Sequence, residues 1–191
     1  MFTNLWKNYS KFILISGFRM WISDLGKWAK KSAKLLQNFN FLTFSGRVIL
    51  TYLVSAFGKS EHEHLYPSEI NKRALVDLHL QFDLSTLYQR TLEYFFPTII
   101  LGAPLDEAKK ARLTEALGFF ESMLKNKKFS TGDSFTIADL ALCVTVSQIE
   151  AFEFDLYPFP KIRKWLMECT TELEPFGYQV SSIIFQTKSL Y

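Results

Sequence analysis

Thr131-Gly132-Asp133-Ser134-Phe135-Thr136-Ile137-Ala138-Asp139-Leu140-Ala141-Leu142 is the stretch that decides how this chain folds. Thr136 followed three residues later by Asp139 is a helix-start pattern. The Thr136 hydroxyl can accept the Asp139 N–H while the Asp139 carboxylate accepts the Thr136 N–H in return. Phe135 and Leu140 flank the pair and can close over it as a hydrophobic staple. The helix that follows carries no charged residue from Leu140 to Ile149 and is apolar around most of its circumference. Such a helix offers water no face, so the pattern predicts the central, buried member of a helical bundle. Losing the cap is expected to cost about 1 kcal/mol or more, because the freed N–H groups would themselves be buried.

The neighbouring segments supply helices to surround it. Upstream, Leu113, Leu117, Phe120 and Leu124 repeat at helical spacing until the polar turn Lys125–Lys128. Downstream, Pro158 and Pro160 precede a helix with Ile162, Trp165, Leu166 and Cys169 on one face, ending near Pro175-Phe176-Gly177. A long helix is expected from Pro67 to about Phe96, closing before Pro97, with Leu101-Gly102-Ala103-Pro104 as the next loop. Gly46–Phe57 reads as a further helix, closed by Gly58-Lys59. Between them Ser60-Glu61-His62-Glu63-His64 is a polar linker; alternation of His and Glu in a loop is a poor geometry for a metal.

The first 44 residues differ in kind. They hold ten aromatic side chains, Trp6, Trp21 and Trp28 among them. Residues 1–47 carry eight lysines and arginines against Asp24 alone, a charge of +7, whereas residues 48–191 carry −4. Residues 26–38 form the best local pattern there: Lys27, Lys30, Lys31 and Lys34 share one helical arc, with Trp28, Leu35 and Leu36 opposite. A surface helix docked on its own domain is the first reading of that pattern, and contact with an anionic membrane surface the second. No nucleic-acid-binding motif accompanies the basic residues, so no nucleic-acid partner is expected. Asn38–Phe44 alternates as a short strand would.

With 191 residues, 48% of them hydrophobic, the chain is long and apolar enough to bury a proper core, which excludes a disordered segment. Two cysteines, Cys143 and Cys169, make neither a C-x-x-C pair nor a disulfide framework and point to a reducing, cytoplasmic setting. No uncharged apolar run approaches the 18 or so residues that a membrane-spanning helix requires.

Residues 41 to about 178 resemble the insect delta-class glutathione transferases. Besides the stretch quoted first, the matching segments are Arg47-Val48-Ile49, Tyr52-Leu53-Val54, Phe57-Gly58-Lys59 and Leu65-Tyr66-Pro67. Lys72-Arg73-Ala74-Leu75-Val76-Asp77, Phe82-Asp83 and Thr86-Leu87-Tyr88-Gln89-Arg90 follow in the same order. The resemblance implies a mainly α protein. A GST-like all-helical C-terminal bundle (67–191) would follow a 60–66 linker and a degenerate, shortened thioredoxin-like N-terminal region (1–59).

The implied activity is addition of the glutathione thiolate to hydrophobic electrophiles, with glutathione as co-substrate, no other cofactor, no metal and a homodimeric assembly. That chemistry needs the thiol, ordinarily of pKa about 8.5, held as the anion near neutrality. The family uses a serine after the first strand for this, a cis-proline to hold the tripeptide backbone, and a Glu-Ser pair followed by Arg at the next helix start. Here the pair corresponds to Ser45-Gly46, with Arg47 retained. No proline precedes Pro67, and Ser10, Ser16, Ser23 and Ser32 follow no recognisable strand. Forty-four residues before Ser45 hardly suffice for a complete βαβ–ββα unit.

The implied glutathione-binding residues are therefore Ser45, Gly46 and Arg47, with an N-terminal helix end that favours an anion. Arg47 has an equal structural reading, as a residue holding an interface together. The implied hydrophobic pocket is Tyr88, Thr91, Phe96, Ile99 and Ile100, positions that a bundle core would equally fill. The resemblance leaves the catalytic group unassigned, and a non-catalytic binding protein that has lost the thiol-activating serine is the alternative function.

Overall fold

The computed structural model describes residues 46–176, which are helical, with no strand among them. The basic segment 26–38, the short strand expected at 38–44, Ser45 and the tail after Phe176 lie outside the described residues. In chain order the helices are α1 (Gly46–Phe57), α2 (Ile70–Phe82), α3 (Tyr88–Leu101), α4 (Glu107–Leu124), α5 (Ile137–Ala151) and α6 (Pro160–Leu173). Asp83–Leu87 forms a π-helical turn between α2 and α3, and Ser60–Leu65 and Glu174–Phe176 are 3-10 turns.

The expectation of a central helix holds. α5 packs against α1, α2, α3 and α6, and of its residues only Val144 and Glu150 escape full burial. The capping box between Thr136 and Asp139 is formed, with the Thr136 N–H donating to Asp139 Oδ2 at 3.0 Å. Its reach exceeds one helix. Asp139 Oδ1 also accepts the Ser130 N–H at 2.6 Å and the Trp165 indole N–H at 2.9 Å. One fully buried carboxylate thus ties the loop before α5, the α5 start and α6 together. A buried charge survives only with such hydrogen bonds around it.

Two apolar clusters flank α5. The larger joins α3, α4, α5 and α6 around Leu113, Leu117, Phe120, Leu142, Ile162 and Trp165, all at most 2% exposed. Within it Phe120 meets Trp165 edge to face, ring centroids 4.9 Å apart, the geometry that the ring quadrupoles favour. The smaller cluster holds α1 and α2 to the first turns of α5 through Val54, Leu65, Val76, Leu80, Ile137, Ala138 and Ala141. Cys143 of α5 and Cys169 of α6 are both buried and form no disulfide. Burial, reinforced by Cys143, pushes the Cys169 thiol up, so it stays protonated and unreactive.

The long helix expected from Pro67 to Phe96 differs in two respects. It begins at Ile70, where the Glu69 carboxylate accepts the Asn71 and Lys72 N–H groups. It also runs through Pro97 to Leu101, because a proline in the last turns sacrifices one backbone hydrogen bond while later residues still pair. Gly102, at φ +63°, makes the left-handed stop that L side chains resist. Gly58 ends α1 for a different reason: a Cβ there would lie 2.3 Å from the Val54 carbonyl oxygen, which the Gly58 N–H approaches to 2.8 Å. The linker residues wind into the 3-10 turn Ser60–Leu65, in which His62 Nδ1 accepts the Lys59 N–H at 3.1 Å.

Candidate functional site

Arg47 sits in the first turn of α1, and its guanidinium points across the interface rather than outward. Nε donates to Asp83 Oδ2 at 2.8 Å, and Nη2 donates to the same oxygen. The other carboxylate oxygen, Oδ1, accepts the Thr145 hydroxyl of α5 at 2.7 Å. The Arg47 guanidinium also lies over the Tyr88 ring, 4.7 Å from its centroid.

Asp83 is fully buried. Burial pushes its carboxyl above the ordinary range, and the Arg47 guanidinium and the Thr145 hydroxyl pull it back. Burial likewise raises the Tyr88 phenol, so it remains protonated. The π-helical turn is what allows this meeting. The Tyr88 N–H reaches back five residues to the Asp83 carbonyl, and the extra residue redirects Asp83 between α1 and α5.

A second feature lies one turn further along α3. Thr91, Leu92, Phe95, Phe96 and Ile99 meet Gln148 and Phe152 of the α5 end around a cavity of about 10 Å³, room for roughly one water. Phe95 and Phe152 pack with their rings tilted by 31° and centroids 4.5 Å apart, and form its wall. The Thr91 hydroxyl does not face the space as a free group, because it donates to the Leu87 carbonyl at 2.7 Å.

Of the residues expected in a hydrophobic pocket, the structure brings Thr91, Phe96 and Ile99 together around this cavity. Tyr88 does not line this cavity and lies instead beneath the Arg47 guanidinium. Ile100 is in α3, but its side chain lies outside the described residues. Gly46 is the first residue of α1, beside Arg47. Thr136 and Asp139 form the structural cap already described.

Sequence reasoning did not assign Asp83, Thr145, Gln148 or Phe152. For Asp83 a signal existed. It falls on the stripe Val76, Leu80, Asp83, Leu87, whose other members are core residues, and an acid on a core stripe implies a buried partner. Gln148 carried the same kind of signal, as a polar residue in an otherwise apolar helix.

Three comparisons bear on this architecture. The family model for the glutathione S-transferase C-terminal domain matches residues 77–172. Glutathione S-transferase D7 of Anopheles gambiae is 58% identical over 144 residues, which cover 75% of this chain. The chain spans only 65% of that relative's length. A glutathione transferase structure from Bombyx mori superposes with a TM-score of 0.73 at 35% identity, covering 78% of this chain and 68% of that one. A delta-class enzyme from Nilaparvata lugens gives 0.68 at 36% identity, over 77% and 70%. The chain therefore belongs to the glutathione S-transferase family and, within it, to the insect delta class.

Proposed function

We propose that this protein conjugates reduced glutathione to hydrophobic electrophiles. Family membership of the helical domain carries the reading. Ser45, Gly46 and Arg47 would receive a carboxylate of the tripeptide at the start of α1, where helix N–H groups and a guanidinium both favour an anion. Tyr88, Thr91, Phe96, Ile99 and Ile100 would receive the electrophile. In this reading residues 1–59 form the N-terminal glutathione-binding region, 60–66 the linker and 67–191 the helical domain. The working assembly is a homodimer, as is typical of the family, in the cytoplasm. Among the described residues no helix is long and apolar enough to cross a membrane.

A second reading, a non-catalytic binding protein that keeps the bundle and its pocket, draws support from one observation. The Arg47 guanidinium is already engaged by a buried carboxylate and an aromatic ring, as a purely structural arginine would be. Calorimetric titration of the full chain with reduced glutathione, followed by conjugation assays with aromatic halides, separates the two. One-site binding with turnover supports the transferase. A folded protein that binds no glutathione at millimolar concentration overturns that reading in favour of the second.

A further inference from the structure

Cys143 and Cys169 are the only two cysteines in the sequence, and the fold brings them together. Their register is set one turn earlier, where the Trp165 indole N–H of α6 donates to Asp139 of α5 at 2.9 Å. Four residues further along each helix, on the same faces, stand Cys169 and Cys143. The two thiols share a hydrogen bond inside the larger apolar cluster, and both are fully buried. Among the described residues no three His, Cys, Asp or Glu side chains converge as metal ligands, so the pair is a dithiol in an apolar wall. Sulfurs already in contact are within reach of a bond about 2.0 Å long by small side-chain adjustments.

We infer that Cys143 and Cys169 form a latent disulfide, which a hydroperoxide closes when α6 lifts from α5 and which then staples the two helices. In the closed bundle the reaction does not start. The nucleophile is the thiolate, and burial keeps the proton on Cys169. Local opening of the helix pair exposes both sulfurs to water and oxidant. One thiolate then attacks a peroxide oxygen and becomes a sulfenic acid. The O–O bond breaks, and the other oxygen leaves as water or alcohol with the proton of that thiol. The second sulfur attacks the sulfenic sulfur; the S–S bond forms and hydroxide departs as water, taking the second thiol's proton. Two thiols are thereby oxidised and one peroxide is reduced by two electrons. The sequence offers no third cysteine, so the neighbour is the resolving sulfur within the chain. The new bond joins residues 26 apart, and it opposes the very separation that allowed it to form.

The test incubates the reduced, full-length protein with hydrogen peroxide, in buffer and in about 2 M urea below the unfolding transition. Non-reduced digests are mapped by mass spectrometry. The expected product is a monomer in which the Cys143 and Cys169 peptides are linked, formed roughly tenfold or more faster in urea. The oxidised protein should melt about 5–10 °C above the reduced one, a rise that dithiothreitol reverses. Cys143→Ser should instead accumulate sulfinic and sulfonic acids, or chain-to-chain disulfides, at Cys169. In the wild type, linked dimers, separate overoxidation of the two thiols, survival of both thiols in urea, or a rate indifferent to urea each overturn the inference, whether or not the variant folds. An oxidised protein that melts no higher than the reduced one overturns it as well.

Discussion

Asp139→Ala should be the most damaging single truncation in the α5 cap. In the native protein the carboxylate accepts the N–H groups of Ser130 and Thr136, the Thr136 hydroxyl and the Trp165 indole N–H, all within 2.6–3.0 Å. The hydroxyl can turn elsewhere, but the three N–H donors cannot. Each buried N–H left without an acceptor costs about 1–3 kcal/mol. Because the three share one acceptor, their losses do not simply add. An expected destabilisation of about 4–5 kcal/mol follows, a large part of the roughly 5–15 kcal/mol by which a domain is stable.

Thr136→Ala removes only the capping hydroxyl and should cost about 1 kcal/mol. Thermal melts by circular dichroism, at about 2–4 °C per kcal/mol for a chain of this size, should place Asp139→Ala about 8–20 °C below the wild type. Urea titration should show a lower midpoint with an unchanged slope. If Asp139→Ala melts with Thr136→Ala, the links to Ser130 and Trp165 are not holding the bundle, and the reasoning fails.

Arg47→Met strands the buried Asp83 carboxylate, and breaking such a pair should cost about 3–5 kcal/mol at neutral pH. Burial then holds the Asp83 pKa further above its unfolded value, so the folded state binds the extra proton. Stability of the variant relative to wild type should fall as pH rises from about 4 toward neutrality, and a flat difference in urea midpoints across that range would refute it. His79 is buried with Nδ1 on the Leu75 carbonyl and Nε2 without a partner among the described residues; burial, and then Lys127, lowers its pKa against the Leu75 bond and Asp139. Its unfolded form binds the proton first, so wild-type stability should fall as pH drops through about 6.5, and His79→Leu should flatten that slope in pH-dependent melts. Gly118 faces open space in the middle of α4, so Gly118→Ala should raise stability by about 1 kcal/mol. Gly58→Ala, with its Cβ driven into the Val54 carbonyl, should lower it, and melting both variants side by side checks the contrast.

The bundle was legible because its determinants are local or periodic. Thr136 and Asp139 are three residues apart, and the uncharged run Leu140–Ile149 admits no solvent-facing side, so the cap and the central helix follow from the chain itself. The stripes of α4 and α6 likewise announce which faces are buried. Pro97 misled because a helix-breaking residue was weighed without the packing that carries α3 past it. The pocket was legible only by resemblance, since aromatic residues at helical spacing describe a core as well as a ligand site.

What tertiary structure alone decided is where the polar side chains go. Asp83 lies 36 residues from Arg47 and 62 from Thr145, and no periodicity encodes their meeting. The second carboxylate oxygen of Asp139, Oδ1, depends on Trp165, 26 residues away. A buried charge needs partners from every direction, and those are supplied by whichever elements pack around it. Apolar burial, by contrast, is non-directional and leaves its pattern in the sequence. The sequence by itself therefore determined a helical domain built around α5; the packing of α1, α3 and α5 decided that Arg47 faces Asp83 and that Gln148 faces the cavity.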